Sequence, residues 1–191
     1  MLSEWNFLNS GYEIINEGSG NSYLKSTGEL LMYVPVKFLN TRITIDLLTD
    51  GKYYDEVNQK VPELTISSRN PNETELDGGY SARIYPNEIE TALRMDVGID
   101  NAKSDKFIML NTYSRGEDWV NNWKSIRYSC YTTATEVVHD IDVLYNGVWQ
   151  PTAIYRELLS GVHNKYPGYV YIQALEGMAI DNIKIETIEV N

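Results

Sequence analysis

The chain has 191 residues, 42% of them hydrophobic and 23% charged, with a formal net charge of −11. An acidic surface of that strength repels phosphate backbones and anionic headgroups, which excludes nucleic acid and argues against the membrane surface; no apolar run reaches membrane-spanning length, so no membrane insertion is expected. A single cysteine, Cys130, excludes an internal disulfide and any Cys-rich zinc site.

Taken in order, the chain is a succession of strand-like segments separated by Gly, Asn, Asp and Pro. Met1-Leu2-Ser3-Glu4-Trp5-Asn6 lacks the basic and apolar regions of a signal peptide. The protein is therefore expected in the cytoplasm when made, with a virion as one route out. Short strands are predicted over Tyr12–Asn16, Ser22–Lys25 and Glu29–Phe38. Over Thr41–Leu48, Ile43, Ile45 and Leu47 face one side while Arg42, Thr44 and Asp46 face the other. Such alternation buries one face of a sheet and solvates its opposite, as in antiparallel sheets. Strands follow over Glu63–Ser67, Gly79–Tyr85, Glu88–Val97 and Phe107–Tyr113. In Trp123–Thr132, Cys130 shares a face with Ile126 and Tyr128, which makes it a small buried hydrophobe, and Trp123 is assigned to the core.

Over Glu136–Tyr145, Val137, Ile141 and Val143 oppose Glu136, Asp140 and Asp142, and His139 falls on the apolar side as a core or rim histidine. His163 belongs to a loop, so no zinc or triad arrangement emerges. Asn146-Gly147 suits the positive φ of a type I′ turn. A hairpin is predicted there, Asp142–Tyr145 pairing with Val148–Pro151, with Pro151 ending the strand because it has no N–H for a ladder. Ala153–Leu159 places Ile154 with Leu158 and Tyr155 with Leu159 at i,i+4 before Gly161, which predicts one short helix. Strands close the chain over Gly168–Leu175 and Met178–Val190. In the last, Ile183/Ile185 and Ile188/Val190 fall on opposite faces, the slip a β-bulge makes. With no repeat, low-complexity tract or linker, residues 1–191 are expected to form one all-β domain, a two-sheet antiparallel sandwich with one short helix.

Fifteen Tyr and four Trp stand against three Phe. Rings with a polar handle suit half-wet surfaces and binding sites as well as strands. Sugars stack their C–H faces on such rings while amides and carboxylates take the hydroxyls. Trp119 with Arg115, Asp118, Asn121 and Asn122 supplies those groups within one predicted loop. Trp149 with Gln150, just after the Asn-Gly turn, supplies a second set.

Several stretches carry a resemblance: Asp77-Gly78-Gly79-Tyr80-Ser81-Ala82-Arg83-Ile84, Trp123-Lys124-Ser125-Ile126-Arg127-Tyr128, Asp142-Val143-Leu144-Tyr145-Asn146-Gly147, Gly168–Ala174 and Ala179–Ile185. In that order and spacing the chain resembles the concanavalin A-like lectin/glucanase superfamily, particularly its laminin-G-like jelly rolls. It departs at Tyr171, where the family usually has Gly, and over Ala153–Pro167; the first 76 residues match only as generic strands. Galactose-binding-like jelly rolls end in a similar strand.

The resemblance implies a jelly roll and a glycan as partner. It also implies a structural calcium at the sheet rim, with Asp181 in the matching place and Asp46 or Glu17 able to join it. Glu136, Asp140 and Asp142 loosely resemble the carboxylate strand of jelly-roll glucanases, whose final Glu is missing. Glycoside hydrolysis needs two carboxylates facing one bond, whereas a solvated strand face needs only alternation. Three readings follow: a noncatalytic carbohydrate-binding domain, a virion or surface decoration module that contacts other protein subunits of a particle, and a glycoside hydrolase.

Overall fold

Alternation of apolar and polar residues translates into fourteen strands in the computed structural model, which describes residues 4–18, 20–49, 62–86, 92–99, 108–116, 121–162 and 164–190. They are β1 (Asn6–Phe7), β2 (Tyr12–Asn16), β3 (Ser22–Ser26), β4 (Glu29–Phe38), β5 (Thr41–Thr49), β6 (Leu64–Asn70) and β7 (Tyr80–Pro86), followed by β8 (Ala92–Ile99), β9 (Ile108–Gly116), β10 (Lys124–Thr132), β11 (Glu136–Tyr145), β12 (Val148–Leu158), β13 (Gly168–Leu175) and β14 (Met178–Thr187). Two seven-stranded sheets result, ordered β1-β4-β13-β6-β7-β8-β9 and β12-β11-β10-β5-β14-β3-β2. Every pairing among the described residues is antiparallel.

The core lies between the sheets. Ile43, Ile45 and Leu47 of β5, Ile126, Tyr128 and Cys130 of β10, and Val137, Ile141 and Val143 of β11 are fully buried from the second sheet; Leu30, Met32, Leu64, Ile66, Ala82, Ile84 and Val170 meet them from the first. Strict alternation in β5 leaves Arg42, Thr44 and Asp46 on the outward face, as its sequence predicts.

The Asn146-Gly147 turn forms in the predicted register, Tyr145↔Val148 through Asp142↔Pro151, with both turn residues at positive φ. Two expectations at this hairpin fail. Pro151 does not end its strand: β12 lies at the sheet edge, where a missing N–H costs no ladder bond, and it continues past a bulge at Thr152, Ile141 pairing with Ala153. Nor is Ala153–Leu159 helical; it is the second half of β12 with the residue that follows. Spacing of i,i+4 keeps residues on one face of a strand as well as of a helix, and Ile154 and Leu158 do share the outward face of β12. The slip expected between Ile185 and Ile188 is not formed, since the register runs unbroken from Lys184↔Thr44 to Thr187↔Thr41, where β14 ends; β14 instead bulges between Asp181↔Asp46 and Lys184↔Thr44.

One end of the core is polar. Arg69, at φ 57 in a bulge of β6 against β13, is fully buried and donates to Leu39 O (2.9 Å), Asn164 O (3.2 Å) and Thr132 Oγ1 (2.7 Å). Tyr80 donates to the buried Glu157 and accepts the Asn164 N–H. His139 is core, as expected, its Nδ1 2.9 Å from the Tyr128 hydroxyl.

Burial, and then the charge of Arg69, pushes the His139 imidazole down to about 3. An unfolded chain takes up that proton near its ordinary value of about 6.5. Between the two values the unfolded state binds more protons, so this stability is complete above the upper value and is lost as pH falls toward the lower. Wild-type melting temperature should therefore drop between pH 7 and pH 4 by more than that of His139→Asn, which keeps a polar group facing Tyr128. Equal drops in the two melting series would contradict the assignment.

Candidate functional site

Outward-facing side chains of the second sheet form a polar surface whose layout follows from register. Ser125 pairs with Asp46, Asp46 with Asp181, and Leu144 with Trp149. The β14 bulge puts Asn182 at φ 48, a conformation Asn tolerates better than most residues. The β14–β3 ladder holds only Ala179↔Lys25 and Ile180↔Leu24 before the two strands part. A cleft of about 290 Å³ opens there, lined by the polar Asn21, Ser22, Tyr23, Asp181 and Asn182 and by the apolar Trp5, Ile14, Ile180 and Ile183.

Beside the cleft stands an aromatic pair. Trp123, immediately before β10, is 40% exposed, and its ring meets that of Tyr23 edge-on with centroids 5.3 Å apart. Strands β5 and β14 lie between β10 and β3, so Trp123 reaches across both. Its expected core position is thus corrected. Ile126, Tyr128 and Cys130 set the inward parity of β10, and a residue three before Ile126 falls on the other face.

Of the predicted binding residues, Trp119 and Asp118 lie outside the described residues, and Arg115 pairs through its backbone with Leu93 near the end of β9. Asn121 and Asn122 are exposed, the Asn121 N–H donating to Thr49 O at 2.7 Å at the end of β5. Trp149 and Gln150 part company: Trp149 pairs with Leu144 on the outward face, and Gln150 pairs with Val143 on the inward one. Arg127 stacks over the Trp149 ring at 4.6 Å, so one face of that ring already has a partner. Tyr23 and Asn182 were not among the sequence candidates. The signal was present in Asp181-Asn182, a pair suited to a tight bend, but its cross-strand partner is not local in sequence.

The three carboxylates of β11 are half-buried or buried among basic and hydroxyl partners. Glu136 bonds Arg156 at 3.1 Å, and Arg127 Nε and Nη2 converge on Asp142 Oδ2 at 2.8 and 2.7 Å. Asp140 accepts the Tyr131 hydroxyl at 3.0 Å, and burial raises its carboxyl above the usual range. A second cleft of about 400 Å³ lies over two of them, lined by Tyr131, Asp140, Asp142, Pro151, Thr152 and Arg156. With Glu136 and Asp142 each held by an arginine, the strand reads as a charge-balanced outer face and gives no support to a pair of free catalytic carboxylates.

Asp181 and Asp46 face each other, as the calcium expectation needs, but three of their four carboxylate oxygens already accept hydrogen bonds. Asn182 donates its backbone N–H to Asp181 Oδ1 (2.8 Å) and its side-chain amide to Asp46 Oδ2 (2.8 Å), while Ser125 donates to Asp46 Oδ1. Glu17 accepts from Asn21 in an exposed turn. Calcium takes six to eight oxygen ligands; among the described residues no three His, Cys, Asp or Glu side chains gather to hold a metal. As arranged, the two aspartates are bridged by Asn182 hydrogen bonds rather than set out as an open oxygen cage.

Neither a protein-family model nor a curated protein matches the chain. Solved structures do. The carbohydrate-binding module CBM66 from Bacillus subtilis aligns over 96% of both chains with a TM-score of 0.63 at 11% identity. The fold is the concanavalin A-like jelly roll. A legume lectin-like domain from Entamoeba histolytica gives the same TM-score at 12% identity, covering 98% of this chain and 92% of its own. The VIP36 exoplasmic/lumenal domain, in its Ca2+/Man3GlcNAc-bound form, gives 0.60 at 12% identity over 100% and 86%. VIP36 has been solved both Ca2+-bound and metal-free. At these identities the likeness extends to the jelly-roll architecture, and the surface of each protein is its own.

Proposed function

We propose that this chain is a noncatalytic carbohydrate-binding, lectin-like domain whose binding surface is the outward face of the second sheet, centred on the cleft between β3 and β14. One observation carries the reading: the Tyr23–Trp123 pair borders a cleft that also presents Asp181, Asn182, Asn21 and Ser22. A pyranose offers an apolar C–H face and a ring of hydroxyls. The exposed Trp123 supplies an apolar platform, and the neighbouring amides, hydroxyl and carboxylate supply acceptors and donors for the hydroxyls. Jelly rolls of this shape include a carbohydrate-binding module and lectins, which supports the reading at the level of architecture.

A glycan array probed with wild type, Trp123→Ala and Tyr23→Ala tests it. Wild type should bind a restricted set of glycans. Either substitution should weaken that binding by at least about tenfold, the loss of roughly 1.4 kcal/mol expected on truncating an aromatic anchor. Trp123 lies outside the core, so Trp123→Ala should keep the wild-type melting profile. Wild type failing to bind any glycan at high concentration would remove the proposal.

A further inference from the structure

We infer that the β5–β14 rim is closed by Asn182 in the place where a divalent cation would bridge Asp46 and Asp181, so that the domain folds independently of calcium. Asp46 and Asp181 are direct cross-strand partners, and like charges directly opposite one another are destabilising. A metal ion or hydrogen-bond donors between them relieve that repulsion. Asn182 supplies the donors. It is the residue after Asp181, placed at φ 48 by the bulge, and it gives its backbone N–H to Asp181 Oδ1 and its amide to Asp46 Oδ2, each at 2.8 Å. The Ser125 hydroxyl takes the remaining Asp46 oxygen. An ion seated against Asp46 Oδ2 would have to displace the hydrogen bond from the Asn182 amide.

The inference rests on these hydrogen bonds and needs no glycan. Thermal melts of wild type in EDTA and in millimolar CaCl2 should coincide. Asn182→Asp exchanges the donor for a third carboxylate, at a position where Asp also tolerates left-handed backbone. That variant should melt below wild type in EDTA and regain stability as CaCl2 is added, with the weak affinity, about 10⁻⁴–10⁻³ M, of simple extracellular-type calcium sites. A wild-type melting temperature that falls in EDTA or rises with calcium overturns the inference, whatever the variant does. So does an Asn182→Asp protein that is folded but indifferent to calcium. Failure of wild type to bind glycans would leave these melts, and this conclusion, untouched.

Discussion

Replacing Arg69 by Met should lower the unfolding free energy by about 3–5 kcal/mol, the range seen when one partner of a buried charged network is removed. The guanidinium is fully buried and donates to three acceptors from three separate parts of the chain: Leu39 in the β4–β5 turn, Thr132 at the end of β10, and Asn164 between β12 and β13. Methionine fills much of the volume but leaves all three acceptors without that donor, at about 1–3 kcal/mol for each that water cannot reach. It also removes the cation that stands in the same polar end as the buried Glu157; the charges of both reach Cys130. For a chain of this size the melting temperature should fall by roughly 10 °C, at about 2–4 °C per kcal/mol. Urea unfolding of wild type and Arg69→Met measures it, with Arg69→Lys expected in between because it keeps the charge but not the three-way fork. A loss below about 1 kcal/mol, the scale of an ordinary surface change, would mean the network contributes little.

How far such features can be read from one sequence depends on how local they are. The β5 alternation and the Asn146-Gly147 hairpin were legible because each is decided within a few residues, by period-two patterning and by turn stereochemistry. Ala153–Leu159 was misread because i,i+4 spacing does not distinguish the two periods, and its Ile and Tyr suit a strand at least as well. Trp123 was misread by treating a strand position as a core position without counting parity from Ile126. Arg69 gave no local signal: its burial comes from a bulge whose partner, β13, lies about a hundred residues away in the chain. The candidate site was the least legible of all. Tyr23, Asp46, Ser125 and Asp181 share one surface only because β3, β5, β10 and β14 are neighbours or near-neighbours in one sheet, and strand order is a property of the whole fold. The segment around Trp119 was singled out because it is contiguous, whereas the described cleft is assembled from distant segments.

That strand order also sets a length scale for recognition. Across the outward face, Trp149 on β12 pairs with Leu144 on β11, Ser125, Asp46 and Asp181 pair in turn across β10, β5 and β14, and β3 with Tyr23 lies beyond, which sets out one row. Six strands at about 4.8 Å spacing make this row roughly 24 Å long, enough for several sugar units lying across the strands. Behind it, Pro151, Asp142, Arg127, Thr44 and Lys184 form a second row, of which Thr44 and Lys184 can meet hydroxyls along the chain. Aromatic rings stand at both ends, Tyr23 with Trp123 at one and Trp149 at the other. Isothermal titration with a homologous oligosaccharide series should therefore show affinity rising with chain length and levelling off once the ligand spans both ends. The two ends should also respond differently to substitution. Trp123→Ala should weaken every member of the series by about thirtyfold, as for an aromatic anchor worth roughly 2 kcal/mol. Trp149→Ala should leave the shortest ligands unaffected and cost the longest about fivefold, near 1 kcal/mol, because Arg127 already covers one face of its ring. If a monosaccharide binds as tightly as the longest oligomer, recognition is confined to the cleft beside Tyr23. If Trp149→Ala weakens all lengths equally, the two ends belong to a single compact site and the row across the sheet is not the path of the glycan.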